Sequence, residues 1–452
     1  MKLILALFIL PTILLSSKTL ATKCRRKSTP SIEEIPLPAF NHSLWTTSIE
    51  LYSNVQYYEV GSYVIAPFTL ESSLSLLYLM STKLTKHILR RKLDLHQLGR
   101  EQIAINYQNI YQTLINIPTL KQANGLFIQN NAPVNSAFRT LAKDAFYTDA
   151  QSIDFSDKKN ATNEINQWIE KNINKKVDQY FIPLRTYKLD DGIALIGAAY
   201  FRADWQNPFD SALTTWERFS YGWCSANEFV TVPMMHQTGY YQVGYNAYWD
   251  ADVIRLPLKF DLTMTIVLPT SCCRLGRTED VLRDNSKRHL IKMFPYQKTN
   301  LHIPKFITNS MISMRRPLIH HGFHDLFSRS ANITHIYADP TIKEHVTDVF
   351  QTVIVEINET GDGINSTVPI STKPSPSTTP LISKSQLLSG SSCEREQRYQ
   401  SKKAARLQRT EKPCPHDHRS ENEPIEFNAN HPFLYTIEMD NNIILIGRFT
   451  GK

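Results

Sequence analysis

The chain has 452 residues, 42% of them hydrophobic, and a formal net charge of +8. It is long enough to bury a large core, and its composition changes sharply only in the last third, so we expect one large domain with an appended segment rather than two equal domains. No apolar stretch is long enough to span a membrane, which argues against an integral membrane protein.

The N-terminus has the pattern of a secretory signal. Met1-Lys2 is followed by the apolar run LILALFILPTILLSS and then by the small-residue exit Lys18-Thr19-Leu20-Ala21. This order of charged, apolar and small residues predicts a signal peptide over residues 1–21 and an N-terminal linker over 22–36. We therefore expect the protein to be secreted into the extracellular space.

Acceptor triplets for N-linked glycans agree with passage through a secretory pathway, although such triplets also occur by chance. The asparagines in the Asn-x-Ser/Thr pattern are Asn41, Asn160, Asn332, Asn358 and Asn365. They predict a glycoprotein and leave the occupancy of each position open.

Helical and strand patterns alternate along the chain without a repeat. Residues 70–80 and 161–177 have apolar residues at helical spacing; the second places Ile165, Trp168, Ile169 and Ile173 on one face. Later segments alternate with a period of two or are continuously β-branched, which predicts strands over 250–260, 262–269, 300–307 and 348–357, and a hairpin over 433–451. The sequence thus predicts an α+β protein with large sheets.

Several segments resemble one family and follow its order along the chain. The C-terminal FNANHPFLYTI at 427–437 looks like the signature of the serpins, and AAYFRADWQNPFD at 198–210, VPMM at 232–235, MTIVLP at 264–269, GFHDLFS at 322–328 and VEINETG at 355–361 agree with it. The resemblance implies a single serpin domain over 37–452, with three β-sheets, about nine helices and an exposed reactive loop, expanded here to 360–426.

The resemblance also implies a function. Inhibitory serpins present the reactive loop to a protease as a substrate; after cleavage the first part of the loop inserts into the central sheet and carries the acylated protease with it. We therefore expect a secreted inhibitor of serine-type endopeptidases that acts as a monomer on an extracellular protease. The alternative is a non-inhibitory serpin that acts as a protease decoy, a carrier or a glycan-binding module. No phosphate loop, metalloprotease motif or nucleophile elbow occurs, so we expect no enzyme activity, no cofactor and no metal.

The loop hinge departs from the pattern of serpins that insert well, which have a run of small residues there. The predicted hinge comprises Glu359, Gly361, Asp362, Gly363, Ile364 and Asn365. Burying the charge of Asp362 in an inserted strand would cost several kcal/mol, and Pro369 could not donate a ladder hydrogen bond. A glycan on Asn365 would also prevent insertion. We expect loop insertion to be inefficient.

A second departure concerns the buried polar cluster that controls how the central sheet of serpins opens. By flanking motifs it maps onto Ala66, Thr69, Gly197 and Gln351, which we call the sheet-opening cluster. Three of these four positions no longer have the residue type of the family, and Thr69 keeps only a hydroxyl. The sequence predicts that this polar network is lost; a repacked cluster in an inhibitory relative is the alternative.

The third departure is the length of the loop. Counting forward from the hinge places the scissile bond near Ser375, whereas counting back from Phe427 places it near Arg419 and Ser420. Residues 366–392 are rich in Ser, Thr and Pro and predict an extended stalk. If a protease cut at Arg419, the intervening chain, at about 3.3 Å per residue, would be far longer than the inserting strand, and the protease would not be pulled.

Residues 393–419, the basic insert, hold eight Lys/Arg and four Asp/Glu. A basic helix there would attract sulfated glycans and trypsin-like proteases; a solvated insert without a partner is the alternative. We expect no nucleic acid partner.

Cys393 and Cys414 are the best single guess for a disulfide among 15 possible pairings of six cysteines. Cys414, His416 and His418 are too few for a zinc site at the required spacing.

Overall fold

The computed structural model describes residues 39–130, 133–173, 192–221, 229–284, 294–339, 341–361 and 423–451. The predicted signal peptide, the linker and the reactive loop from Asp362 to residue 422 lie outside these ranges. Among the described residues, no helix combines the length and hydrophobicity needed to cross a membrane.

Eight α-helices occur within the described ranges. They are α1 Ala39–Val55, α2 Pro67–Met80, α3 Lys83–Lys92, α4 Arg100–Leu114, α5 Ser136–Phe146, α6 Lys158–Ile173, α7 Leu275–Asp284 and α8 Arg315–His321. Helix α2 begins at a proline, which suits the first helical position because its missing N–H would have no partner there. Both predicted helices are confirmed as α2 and α6, and the predicted apolar face of α6 is buried.

Fourteen strands are found in the same ranges. They are β1 Tyr63–Ile65, β2 Leu120–Gln129, β3 Thr148–Ile153, β4 Ile193–Arg202, β5 Thr215–Ser220, β6 Phe229–Asn246, β7 Ala251–Pro257, β8 Leu262–Pro269, β9 Tyr296–Pro304, β10 Phe306–Ser313, β11 Val346–Ile357, β12 Ile425–Asn428, β13 Phe433–Met439 and β14 Asn442–Phe449. The predicted hairpin is confirmed: β13 and β14 pair antiparallel around Asp440 and Asn441, both with positive φ.

The first sheet has five strands in the order β10-β11-β4-β2-β3. At its centre β11 and β4 run parallel. Eleven of the twelve residues of β11 are buried, which is the burial that its continuous β-branched sequence predicts.

The other nine strands are hydrogen-bonded into one sheet, with the order β1-β14-β13-β8-β7-β6-β9-β12 and with β5 on β6. The long strand β6 joins its two parts: residues 229–234 pair with β5, 234–242 with β9 and 242–246 with β7. The α+β serpin fold inferred from the sequence is confirmed, with hydrogen bonding continuous through β6.

One predicted element is wrong. Residues 300–307 were predicted to form one strand, but the chain leaves β9 at Pro304 and enters β10 at Phe306, so the segment is shared between two sheets. Period-two alternation continues through the crossover, and only the neighbouring strands decide where each one ends. Lys305, between the two strands, donates its backbone N–H to Pro233.

Candidate functional site

The centre of the five-stranded sheet is closed in this structure. Strands β11 and β4 pair from Val346 and Ile193 at one end to Glu356 and Arg202 at the other, with one irregularity near Asp348. Among the described residues, no strand lies between them. Because the two strands are parallel, a segment that reversed direction after β11 could pair antiparallel with both if they separated.

The chain leaves β11 through a set of polar contacts on Glu359. Its carboxylate accepts hydrogen bonds from Lys305 Nζ at 2.9 Å and from Thr214 Oγ1 at 2.9 Å, and its carbonyl accepts from Phe209 N. Burial alone would raise the pKa of Glu359, but the hydrogen bonds from Lys305, the backbone and Thr214 outweigh it, so the pKa lies below its ordinary value. Glu359 is therefore charged and fixed at neutral pH.

A tight turn follows Glu359. Asn358 Oδ1 accepts a hydrogen bond from Gly361 N at 2.8 Å, and the Asn358 carbonyl accepts one from Trp205 Nε1 at 2.6 Å. Gly361 has a φ of +73°, and a Cβ there would lie 2.7 Å from the carbonyl oxygen of Ala203. Glycine is thus required at 361 by both backbone conformation and space. The first residue of the loop outside the described ranges, Asp362, follows this turn directly.

The sheet-opening cluster does come together, and the prediction that its polar network is lost is wrong. Gln351 Nε2 donates to the Ala66 carbonyl at 2.7 Å and to Thr69 Oγ1 at 3.0 Å, while Gln351 Oε1 accepts from Ala66 N at 3.2 Å. Gly197 is the register partner of Gln351 in β4, and a Cβ on it would lie 3.2 Å from Thr69 Oγ1. The long amide of Gln351 reaches the backbone at the start of α2, and Gly197 leaves room for it.

Another polar side chain of β11, Asp348, lies where burial disfavours its ionised form. Asp348 is 4% exposed, and its Oδ1 accepts from Val349 N at 2.7 Å and Ser313 Oγ at 3.0 Å. Burial raises the pKa of Asp348 to about 6, although these hydrogen bonds and Arg315 act in the opposite direction.

A family model described as Serpin (serine protease inhibitor) matches residues 43–451. The chain belongs to the serpin family. That match spans both sheets, the hinge and the sheet-opening cluster.

Three relatives of this serpin come from insects and carry the names of protease inhibitors. Antichymotrypsin-2 of Bombyx mori is 28% identical over 244 residues, 54% of this chain and 64% of the relative. Antitrypsin of Bombyx mori is 28% identical over 244 residues, 54% of this chain and 61% of the relative. The chain thus spans a little under two thirds of the length of these two relatives. Serine protease inhibitor 42Dd of Drosophila melanogaster is 27% identical over 329 residues, 70% of this chain and 86% of the relative.

Solved serpin structures show the same fold. Serpin48 of Tenebrio molitor superposes with a TM-score of 0.71 at 22% identity, covering 91% of this chain and 97% of that one. Serpin-12 of Manduca sexta superposes with a TM-score of 0.69 at 18% identity, covering 90% of this chain and 98% of that one.

Many residues predicted to act in this serpin lie outside the described ranges. They are the hinge residues Asp362, Gly363, Ile364 and Asn365, the candidate scissile positions Ser375, Arg419 and Ser420, and the cysteines Cys393 and Cys414. Their predicted roles stay predictions.

The predicted glycosylation positions of this serpin differ in exposure. Asn160, near the start of α6, is exposed, whereas Asn41 and Asn332 are half-buried and hydrogen-bond to Asp440 O and Thr82 Oγ1. Asn358 is only 3% exposed and is held in the hinge turn. In this conformation, space for a sugar exists at Asn160 and not at Asn358.

A group of side chains that sequence reasoning missed lies on the nine-stranded sheet of this serpin. Glu217 of β5, His236 of β6 and His302 of β9 place one ligand atom each within 4.8 Å of one another. They lie 19 and 66 positions apart in sequence, so no short linear motif signals them. Burial, and then the neighbouring His236, lowers the pKa of His302, which favours its neutral form.

Proposed function

We propose that this serpin is a secreted inhibitor of serine-type endopeptidases that traps its target by loop insertion, and that insertion is inefficient. The observation that carries the proposal is the direct parallel pairing of β11 with β4 together with a hinge that turns at Gly361. One ladder of hydrogen bonds now joins β11 to β4, whereas a strand inserted between them would form two ladders, one with each strand. Insertion therefore increases the number of strand contacts, which is the free-energy source of trapping.

The inhibitor names of the insect relatives support this activity for the family to which the chain belongs. The repacked sheet-opening cluster supports it as well, because Gln351 satisfies the backbone groups of Ala66 without a buried orphan at that point. These contacts favour an inhibitor whose sheet-opening cluster is still hydrogen-bonded, although its residue types differ from those of the family.

Inefficiency follows from the sequence of the segment that would insert. Asp362 and Pro369 are poorly suited to a central strand, since a buried carboxylate needs a partner and proline lacks an N–H. A slow insertion step gives the acylated protease time to complete hydrolysis, so we expect a large share of cleaved, free inhibitor.

The target depends on where the protease cuts. Cleavage near Ser375 leaves a tether short enough for insertion to pull on the protease. Cleavage at Arg419 in the basic insert suits trypsin-like enzymes but leaves a long slack segment. We propose that trapping, where it occurs, follows cleavage near Ser375.

The second candidate function is a non-inhibitory serpin that acts as a protease decoy, a carrier or a module that binds sulfated glycans. The charge and length of the loop favour it: the basic insert carries half of the chain's formal net charge. Such a protein would be cleaved without forming a complex, and the basic insert would bind heparin through its Lys and Arg residues.

Incubation of the full-length protein with trypsin-, chymotrypsin- and elastase-like proteases separates the two functions. A covalent complex that survives denaturing electrophoresis supports trapping, and mass spectrometry of the released peptide locates the cut. Clean cleavage by every protease, with no rise in the melting temperature afterwards, supports the decoy. The double variant Asp362→Thr with Pro369→Ala should increase the fraction trapped, while Glu394→Ala in the basic insert is the matched control.

A further inference from the structure

The side chains of Glu217, His236 and His302 stand on three adjacent strands, with β6 in the centre. His236 and His302 are direct register partners across β6 and β9, and β5 pairs with β6 on the other side of the cluster. Cross-strand partners place their Cβ atoms about 4.5–5.5 Å apart, so both imidazoles are held by backbone geometry. The ring centroids are 4.3 Å apart at an interplanar angle of 62°.

Each ligand atom is within reach of one small ion. Glu217 Oε1 lies 2.8 Å from His236 Nε2, and the hydroxyl of Thr215 lies 2.9 Å from both of these atoms. Two imidazole nitrogens and a carboxylate oxygen are a donor set suited to Zn²⁺, whose bonds to these atoms are about 2.0–2.2 Å long. Small side-chain rotations would place the three atoms around one ion.

His302 is the observation that points to a missing ligand. Its Nδ1 is buried and, within the part of the chain that the structure describes, has no hydrogen-bond partner. Its Nε2 is 3.9 Å from Glu426 Oε2, which is beyond hydrogen-bond distance. A buried imidazole nitrogen without a hydrogen-bond partner costs free energy unless something else binds it.

The cluster is accessible to an ion from solution. The exposed fractions of the side chains are 24% for His236, 30% for Glu217 and 26% for His302. An ion held by three protein ligands at such a surface has room for water or a further carboxylate in its remaining position.

Glu426 can supply that further carboxylate. It belongs to β12, which pairs parallel with β9 and is the first strand after the loop segment 362–422. Its Oε1 accepts from Asn300 Nδ2 at 2.6 Å, which keeps the carboxylate beside His302. An ion bound to both would connect the strand that ends the reactive loop to the middle of the sheet.

We propose that Glu217, His236 and His302 form a binding site for a divalent transition-metal ion, Zn²⁺ by donor chemistry, and that Glu426 joins it from β12. The ion takes the place of the direct contact between Glu217 and His236 and binds a nitrogen of His302. Occupancy holds β12 against β9. The site is separate from the centre of the five-stranded sheet and does not depend on inhibitory activity.

Calorimetric titration of the full-length protein, stripped with EDTA and dialysed, with ZnCl₂ tests the site. We expect binding of one ion that is weakened at least about tenfold in Glu217→Gln and in His302→Gln, since each removes a ligand. The exposed His335→Gln is the matched control and should bind as wild type does. The double variant His416→Gln with His418→Gln excludes binding by the basic insert.

A second measurement tests the site even if the His302→Gln variant does not fold. Hydrogen exchange with and without Zn²⁺ should show slower exchange of residues 425–428 in the wild type and a smaller effect in Glu426→Gln, whose exposed side chain tolerates substitution. Absence of zinc binding to the stripped protein, or binding unchanged in Glu217→Gln and His236→Gln, would overturn the proposal.

Discussion

Lys305 Nζ lies 2.9 Å from Glu359 Oε2, so the crossover between β9 and β10 is tied to the hinge of the reactive loop. Lys305 is the residue at which the chain passes from one sheet to the other, and Glu359 follows the end of β11 by two residues. The pair therefore links both sheets to the point where the loop begins. Thr214 adds a second hydrogen bond to the same carboxylate.

Glu359→Gln should lower the free energy of unfolding by roughly 1 kcal/mol at pH 7, because Lys305 is 32% exposed and solvent screens part of the interaction. The folded pKa of Glu359 lies below its ordinary 4.5, so the stabilisation is present above about pH 4.5 and is lost as the pH falls through the folded pKa. Urea unfolding of both proteins between pH 3 and 8 measures the difference. A gap that does not shrink on acidification, or an equal gap for the exposed control Glu423→Gln, would contradict the assignment.

Asp348→Asn should stabilise the protein at neutral and alkaline pH. The pKa of about 6 in the folded chain exceeds the ordinary 3.8, so the native state binds more protons between these values and loses stability as the pH rises through this window. Asparagine keeps an oxygen for Val349 N and Ser313 Oγ without the buried charge. We expect a gain of about 1–3 kcal/mol at pH 8, and none near pH 3.

Thermal or urea unfolding across pH measures the effect of Asp348→Asn. The exposed Asp144→Asn is the matched control and should show no such pH-dependent gain. Equal stability of the wild type and Asp348→Asn at pH 8 would show that burying the ionised carboxylate of Asp348 does not destabilise the protein.

Gln351→Leu should destabilise the protein by about 1–3 kcal/mol, since the buried N–H of Ala66 would lose its acceptor while the volume of the side chain is nearly kept. Gln112→Leu makes the same change at an exposed helical position and should cost little. The midpoint of urea unfolding is the measurement. If both variants unfold at the wild-type midpoint, the amide of Gln351 does not hold α2 to β11.

Glycan mapping should separate the acceptor asparagines. We expect a glycan on the exposed Asn160 and none on Asn358, whose side-chain oxygen binds Gly361 N in the hinge turn. Peptide mass spectrometry of protein expressed in a eukaryotic secretory system, with and without glycosidase, measures the occupancy of each. A glycan on Asn358 in folded protein would show that the hinge turn adopts another arrangement.

The sequence by itself determined the fold class and the family. Helix α6 and strand β11 each carry a local pattern, with apolar residues at helical spacing in one and a continuous β-branched run in the other. The segment 427–437 is a linear motif. Such features depend on neighbours along the chain, and the sequence displays those neighbours directly.

Only the tertiary structure decided which distant residues meet. Gln351 binds Ala66 across 285 residues, and Glu217, His236 and His302 meet on three strands because β6 pairs on both of its edges. The residue types at 66, 197 and 351 predict a lost network when they are considered one at a time. The network persists because the long amide of residue 351, opposite the glycine at 197, reaches the backbone of residue 66. Strand register and side-chain reach set these contacts, and both are fixed only when the sheets form.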